Sequence, residues 1–538
     1  MKENQSHRFV LWSLIIVFLL LVLRLFQLQI IKGKENRFLA ENNRVRKLVL
    51  PAQRGIFFDR HGEALVKNQP VFQIKENGEN KTISRDQALL RQEQGKPVEI
   101  STKRNYPDGD LFAHLLGFLG EVSLTELKEE KFELKGYFLG SLIGQSGAEM
   151  EYESKLKGKD GSELVEVNTA GEAIRSMNRV LPQSGKNLTL AVDKNLQIIA
   201  AEQMQGKKGA VIASNPKTGE ILLYYSSPSF DPNLFLDKNK SEQLQKVIND
   251  EEKHPLLDRV ISGIFAPGST FKIVTSIAGL QEGMITGSSL INDPGVIEVN
   301  QFKFSNWYFT QYGRTEGEIN VIKALARSTD TFFYLLGEKI GEEKLISWAR
   351  KFHLDQRFGI DLPGEIPGFI ATPQWKQRTR GERWFLGNTY HLAIGQGDIS
   401  LTPLGVNQMT SVVASGGKIC QPRILRINAE NTSYKEECID LEIKPENLQI
   451  VKKGMIDACA TGGTAYPFFD FEPQVACKTG TAETSDAKYT HAWFTVFAPV
   501  NNPQIVLTVL VENGGEGSTV AAPIAKEILK EFFKEYGL

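Results

Sequence analysis

The 538-residue chain has little cysteine, little histidine and almost no net charge. Its four cysteines, Cys420, Cys438, Cys459 and Cys477, all fall in the last quarter. No two stand at C-x-x-C spacing, which argues against a cysteine-built zinc site. A pairing such as Cys420–Cys438 is open outside the cytoplasm; buried, separate thiols are the other reading. A formal net charge of −1 supplies no bulk basic field for nucleic acid. No internal repeat or low-complexity tract is visible, so a repeat array is not read here. Only one long apolar run occurs, which leaves the rest of the chain on one side of any membrane.

That run is residues 9–31. Phe9 to Leu23 holds Ser13 as its only polar residue, and Arg24 interrupts before the run ends at Ile31. A helix of this length spans roughly 35 Å, enough to cross a bilayer. No A-x-A-like cleavage site follows, so an uncleaved anchor is expected rather than a removed signal peptide. Lys2 and Arg8 precede the run, while Lys32, Lys34, Arg37, Arg44, Arg46 and Lys47 follow it. Counted alone, these cations would put the C-terminal side in the cytoplasm.

Length calls for more than one further domain. Residues 32–185 mix short alternating stretches with turns such as Asp59-Arg60-His61-Gly62, an irregular α+β region without catalytic clusters. From about 186 the pattern changes. Ala210–Ser214 and Glu220–Tyr225 read as strands, and a long helical stretch covers about 240–465. Strands follow at Gln474–Thr481, Ala492–Ala498 and Gln504–Glu512, and an amphipathic helix closes the chain at Ala521–Tyr536. Two strands before a helical block and three after it predict one five-stranded antiparallel sheet, flanked by helices, with a helical subdomain inserted. The fold class is α+β. The expected divisions are a tail at 1–8, an anchor at 9–31, a pedestal at 32–185 and a catalytic domain at 186–538.

Chemistry is sought in S-x-x-K, S-x-N or S-x-D, and K-T-G. S-x-x-K occurs at Ser154, Ser214, Ser269, Ser415 and Ser485, and K-T-G at Lys217 and Lys478, so each motif alone is weak. Context separates them. Ser214 and Lys217 share a turn with Pro216, Ser415 precedes Gly416-Gly417, and Ser154 and Ser485 stand in polar stretches. Ser269 alone opens an apolar helix. There Lys272, at i+3, shares its face and can act as base once its pKa is lowered. The helix N-terminus offers N–H groups to an oxyanion. Ser328-Thr329-Asp330 supplies a hydroxyl able to relay a proton between two lysines. Lys478, Thr479 and Thr481 suit a substrate carboxylate, and Gly480 permits close backbone approach. Singly, these would read as an N-cap serine, a capping cluster and a strand-end turn.

In this order the three motifs match the signature of penicillin-binding proteins and serine β-lactamases. The chain resembles the class B penicillin-binding proteins, especially the elongation-type group called penicillin-binding protein 2. Arg54-Gly55-Ile56-Phe57-Phe58-Asp59-Arg60 and Gly144-Gln145-Ser146-Gly147-Ala148-Glu149 resemble that family's pedestal segments. Gly395-Gln396-Gly397, Thr402-Pro403 and His491-Ala492-Trp493-Phe494 extend the likeness. The resemblance implies a D,D-transpeptidase that cross-links peptidoglycan stem peptides ending in D-Ala-D-Ala and that β-lactams acylate at Ser269. It implies an oxyanion hole from the N–H groups of Ser269 and Thr481. It also implies an extracytoplasmic catalytic domain and a polytopic membrane glycosyltransferase as partner. Asp330 stands where the family usually has Asn, and its charge would tend to keep Lys272 protonated. Some relatives carry a metal between the first two motifs; no His or Cys lies between Lys272 and Ser328, so no metal or cofactor is expected.

Two other functions fit parts of the sequence. A serine β-lactamase would need a water-activating base, for which Glu483 is the nearest acid, and would lack the long N-terminal region. A catalytically weak cell-wall scaffold would draw its support from Asp330.

Overall fold

Helix α1 (Glu3–Phe26) continues into one π-helical turn, Gln27–Ile31. Its stretch Phe9–Ile31 is long and apolar enough to cross a membrane, and none of it is buried against the protein. Arg24 Nη1 donates to Gln27 Oε1 at 2.6 Å, which pairs the one cation inside the run. The computed structural model describes residues 3–37, 45–76, 79–128, 136–137, 140–167, 173–426, 437–484, 486 and 488–537. Arg44 and Ser485 therefore lie outside the described residues.

The chain divides into two compact units. The first comprises Met1–Gly55, Pro70–Thr102 and Ser154–Lys186. It holds an antiparallel sheet of β1 (Val45–Leu50), β2 (Gly161–Val167) and β3 (Ala173–Val180), ordered β1-β2-β3. The second comprises Ile56–Gln69, Lys103–Glu153 and Asn187–Leu538. Both segments that resemble pedestal signatures contribute buried polar ties inside this second unit. The buried Asp59 carboxylate accepts the N–H groups of His61 and Glu63. The buried Glu149 carboxylate lies 2.7 Å from Arg104 Nη2.

Helix α2 (Lys194–Gln203) begins where Asp193 accepts the N–H groups of Asn195 and Leu196. Asp193 also lies 3.1 Å from His61 Nε2, which in turn lies 3.0 Å from Glu535. Strands β4 (Gly209–Ser214) and β5 (Ile221–Ser227) form a hairpin around the Asn215–Gly219 turn. The helical stretch then runs through α3 (Lys272–Gln281), α4 (Trp307–Tyr312), α5 (Val321–Arg327), α6 (Asp330–Ile340), α7 (Glu342–Lys351), α8 (Pro403–Ser415) and α9 (Pro445–Ala458). It is less uniform than expected. Strands β6 (Ile291–Asp293) and β7 (Gly317–Ile319) pair within it, and further ribbons occur at Val296–Ser305 and at Lys418–Cys420 with Cys438–Asp440. Strands of three or four residues are too short for a period of two to register in sequence.

Strands β8 (Ala476–Glu483), β9 (Thr490–Ala498) and β10 (Ile505–Val511) complete the sheet, ordered β5-β4-β10-β9-β8 and antiparallel throughout. This is the five-stranded sheet anticipated above. Its faces follow from alternation. Trp493, Phe497, Val506 and Leu510 join the core shared with α3, α6 and α8. Phe494, Val496, Leu507 and Val509 join the core beneath α2 and α10 (Ala522–Tyr536). Under α8 the contact is polar. Thr410 bonds Thr495 at 2.8 Å, Thr495 bonds Thr508 at 2.9 Å, and Ser214 Oγ donates to Asn407 Oδ1 at 2.6 Å. Ser214, one of the rejected S-x-x-K serines, is thus part of the core.

The four cysteines are not separate thiols. Cys420 pairs with Cys438 and Cys459 with Cys477, each across 18 residues. The second bridge fastens the C-terminal end of α9 to β8.

Candidate active site

Ser269 stands on a 3-10 turn, Gly268–Phe271, that runs directly into α3. Two glycines let β8 approach this turn. Gly268 has φ +53°, and a Cβ there would meet Thr481 O at 2.7 Å. A Cβ on Gly480 would meet both Thr270 Cγ2 and Trp493 Cβ at 2.9 Å. Gly480 therefore serves the packing of strand on nucleophile turn. Trp493 Nε1 donates to Ala266 O at 2.9 Å and holds the same turn from β9. The Ser269 side chain stays partly exposed, whereas Lys272 one turn on is wholly buried.

The Lys272 ammonium has three acceptors for its three N–H bonds. They are Ser328 O at 2.8 Å, Ser328 Oγ at 3.1 Å and Asp330 Oδ1 at 2.7 Å. The Phe333 ring centroid lies 5.3 Å from Nζ. Ser328 is where α5 ends and α6 has yet to begin. It adopts the left-handed region at φ +56°, unusual for a residue with a Cβ. That kink turns both its carbonyl and its hydroxyl toward Lys272. Asp330, the first residue of α6, keeps 16% of its side chain exposed. Its charge is favoured at the helix N-terminus.

Lys478 enters from β8, wholly buried, with Nζ 2.9 Å from Ser328 Oγ and 3.0 Å from Thr479 O. One serine hydroxyl thus contacts both lysines. Burial pushes the Lys272 ammonium below the ordinary lysine range, and the Asp330 carboxylate opposes this without overturning it. Lys478 is pushed well below that range, first by burial and then by the Lys272 charge, with Asp330 opposing. Burial therefore acts against the tendency of Asp330 to keep Lys272 protonated.

The structure therefore brings Lys272, Ser328, Asp330 and Lys478 into direct contact, with Ser269 one helical turn from Lys272. Thr479 Oγ1 bonds Thr464 Oγ1 at 2.8 Å, and Thr481 is exposed with its carbonyl 3.4 Å from Gln396 Nε2. Glu483 stands exposed at the end of β8. Three contributors escaped the sequence reading. Cys477 is bridged beside Lys478. Trp307 brings its N–H 3.4 Å from Asp330 Oδ2. Asn306 brings its Oδ1 3.4 Å from the Asp330 N–H. The aromatic run Trp307-Tyr308-Phe309 was the available signal for this segment.

Residues 209–530 match the family model described as penicillin binding protein transpeptidase domain, and residues 75–190 that of the penicillin-binding protein dimerisation domain. The peptidoglycan D,D-transpeptidase MrdA of Acinetobacter baumannii is 32% identical, over 98% of this chain and 88% of its own length. MrdA of Escherichia coli K12 is 29% identical, over 95% of this chain and 91% of its own. Among solved structures, penicillin-binding protein 2 of Helicobacter pylori in complex with MreC superposes with a TM-score of 0.80 at 30% identity, covering 92% of this chain and 99% of that one. A chain from a peptidoglycan synthase complex that coordinates polymerization and crosslinking gives 0.79 at 26% identity, covering 98% and 97%.

Proposed function

Because this chain belongs to the penicillin-binding protein transpeptidase family, we propose that it is a membrane-anchored peptidoglycan D,D-transpeptidase of cell elongation, acting through a Ser269 acyl-enzyme. Neutral Lys272 takes the Ser269 proton as Oγ attacks the carbonyl between the two terminal D-alanines of a stem peptide. The N–H groups of Ser269 and Thr481 receive the oxyanion. As the C–N bond breaks, the proton passes through the Ser328 hydroxyl to the leaving amine, and D-alanine departs. An amine on a second strand then attacks the ester, forms the cross-link and restores the Ser269 hydroxyl. Lys478, Thr479 and Thr481 hold the terminal carboxylate. That anion supplies a counter-charge to the buried Lys478 ammonium.

The single observation that carries this reading is the Ser328 hydroxyl, 3.1 Å from Lys272 Nζ and 2.9 Å from Lys478 Nζ. It links the base to the carboxylate-binding lysine, as a proton path requires. β-Lactams take the same route and acylate Ser269. Labelling with a fluorescent penicillin tests the reading: the full chain forms a covalent adduct, and an adduct that persists in Ser269→Ala contradicts it.

The two disulfides belong in an oxidising compartment, which supports a cytoplasmic N-terminus at 1–8, the anchor at 9–31, and extracytoplasmic pedestal (32–185) and catalytic (186–538) domains. This outweighs the Lys and Arg count around the anchor. The structural relative within a peptidoglycan synthase complex that coordinates polymerization and crosslinking supports a polytopic membrane glycosyltransferase as partner.

A further inference from the structure

Asp293 carries a buried carboxylate that the proposed reaction does not use. It ends β6, and four neutral donors converge on it. Oδ1 accepts Gly295 N–H at 2.8 Å and the Thr331 hydroxyl at 2.6 Å. Oδ2 accepts Asn306 Nδ2 at 2.9 Å and Glu316 N–H at 2.8 Å. Two donors on each oxygen fill the carboxylate's main acceptor sites. The arrangement gathers four separate chain positions, at 295, 306, 316 and 331, around one group.

Two of those donors bracket Asp330. Thr331 is its chain neighbour. Asn306, wholly buried, uses both ends of its amide: Nδ2 goes to Asp293, and Oδ1 faces the Asp330 N–H at 3.4 Å. Trp307 follows with its N–H 3.4 Å from Asp330 Oδ2 and its indole N–H bonded to Arg327 O at 2.9 Å. Asp330 Oδ1 then meets Lys272 at 2.7 Å.

We propose that Asp293, Asn306 and Thr331 are positioning residues that hold the Asp330 carboxylate against Lys272. The inference rests on the reading of Lys272 as the base. An aspartate at the start of a helix, partly exposed, has solvent as a competing partner. The hub removes that freedom by fixing the backbone on both sides of Asp330. Loosening it weakens the charged contact that opposes deprotonation of Lys272. The titratable groups facing Lys272 are Asp330 from α6 and Lys478 from β8, while Tyr334 lies further out in the fields of Asp330 and Glu483.

The test uses the full chain in detergent and follows penicillin acylation against pH. Asn306→Ala and Thr331→Val each move the acid limb to lower pH, because Lys272 loses its proton more easily, and lower the plateau acylation rate about tenfold, because the base is weaker and less firmly placed. Thr331→Ser, which keeps the hydroxyl, retains the wild-type profile. Asn306→Ala adds little in an Asp330→Asn background. An acid limb in Asn306→Ala that stays at the wild-type position, or full additivity with Asp330→Asn, overturns the proposal. A wild-type chain that never reacts with penicillin sinks the functional reading instead. Amide hydrogen exchange over residues 328–333 then decides the positioning role: exchange speeds up in Asn306→Ala if the hub holds Asp330, and unchanged exchange contradicts it.

Discussion

Lys478 and Ser328 are separated by 150 residues in the chain and by 2.9 Å in the fold, Nζ to Oγ. A strand edge and a left-handed break between two helices are brought to one point, and Lys272 reaches the same hydroxyl from a third element.

Removing that hydroxyl separates the two lysines chemically. Ser328→Ala lowers penicillin acylation by about 10²-fold or more, the scale of a lost proton relay. Stopped-flow fluorescence with a labelled penicillin measures it. Acylation within about threefold of wild type would place the relay elsewhere.

The proton affinity of Lys478 is depressed by burial and by the Lys272 charge, with Asp330 opposing. A ligand ending in D-Ala-D-Ala brings a carboxylate and raises that affinity. Binding therefore takes up a proton at pH values above the depressed Lys478 value, and affinity weakens as pH rises further. Calorimetry in buffers of different ionisation enthalpy reads the uptake directly. Equal heats in all buffers would remove Lys478 as the carboxylate partner.

The same burial has a stability consequence. A lysine whose folded-state pKa is depressed binds fewer protons folded than unfolded, so stability rises with pH through the window between the two values. Lys478→Met removes that desolvated group and raises thermal stability by about 1 kcal/mol at neutral pH while abolishing activity. Differential scanning fluorimetry distinguishes this from the ordinary loss of stability that a core mutation brings.

The two disulfides close loops of equal length, 18 residues, but in different places. Each contributes about 3 kcal/mol by loop entropy. Cys459→Ala/Cys477→Ala lowers both stability and acylation, because Cys477 adjoins Lys478 on β8. Cys420→Ala/Cys438→Ala lowers stability alone. Equal acylation losses in the two pairs would argue against a local effect at Lys478.

Much of this was legible in the sequence because it rests on local pattern. Trp493 and Phe494 alternate between two cores, so β9 declared itself. Lys272 follows Ser269 by three on an apolar helix, so their shared face was readable. Ser328 was harder, since a left-handed serine leaves no periodic trace and its role appears only when α5 and α6 diverge around it. The Asp293 hub was not readable. Its donors are scattered over 295, 306, 316 and 331, two of them backbone N–H groups without any side-chain signature. The disulfide partners likewise depend on how α9 docks on β8, which no spacing of four cysteines reveals.

The most direct test of the central claim is intact-mass spectrometry of the full chain after exposure to benzylpenicillin, followed by peptide mapping. The predicted result is one added penicilloyl group on the peptide containing Ser269, lost in Ser269→Ala and strongly slowed in Lys272→Ala. A penicilloyl group on any other serine, or none on the folded wild-type chain, would contradict it.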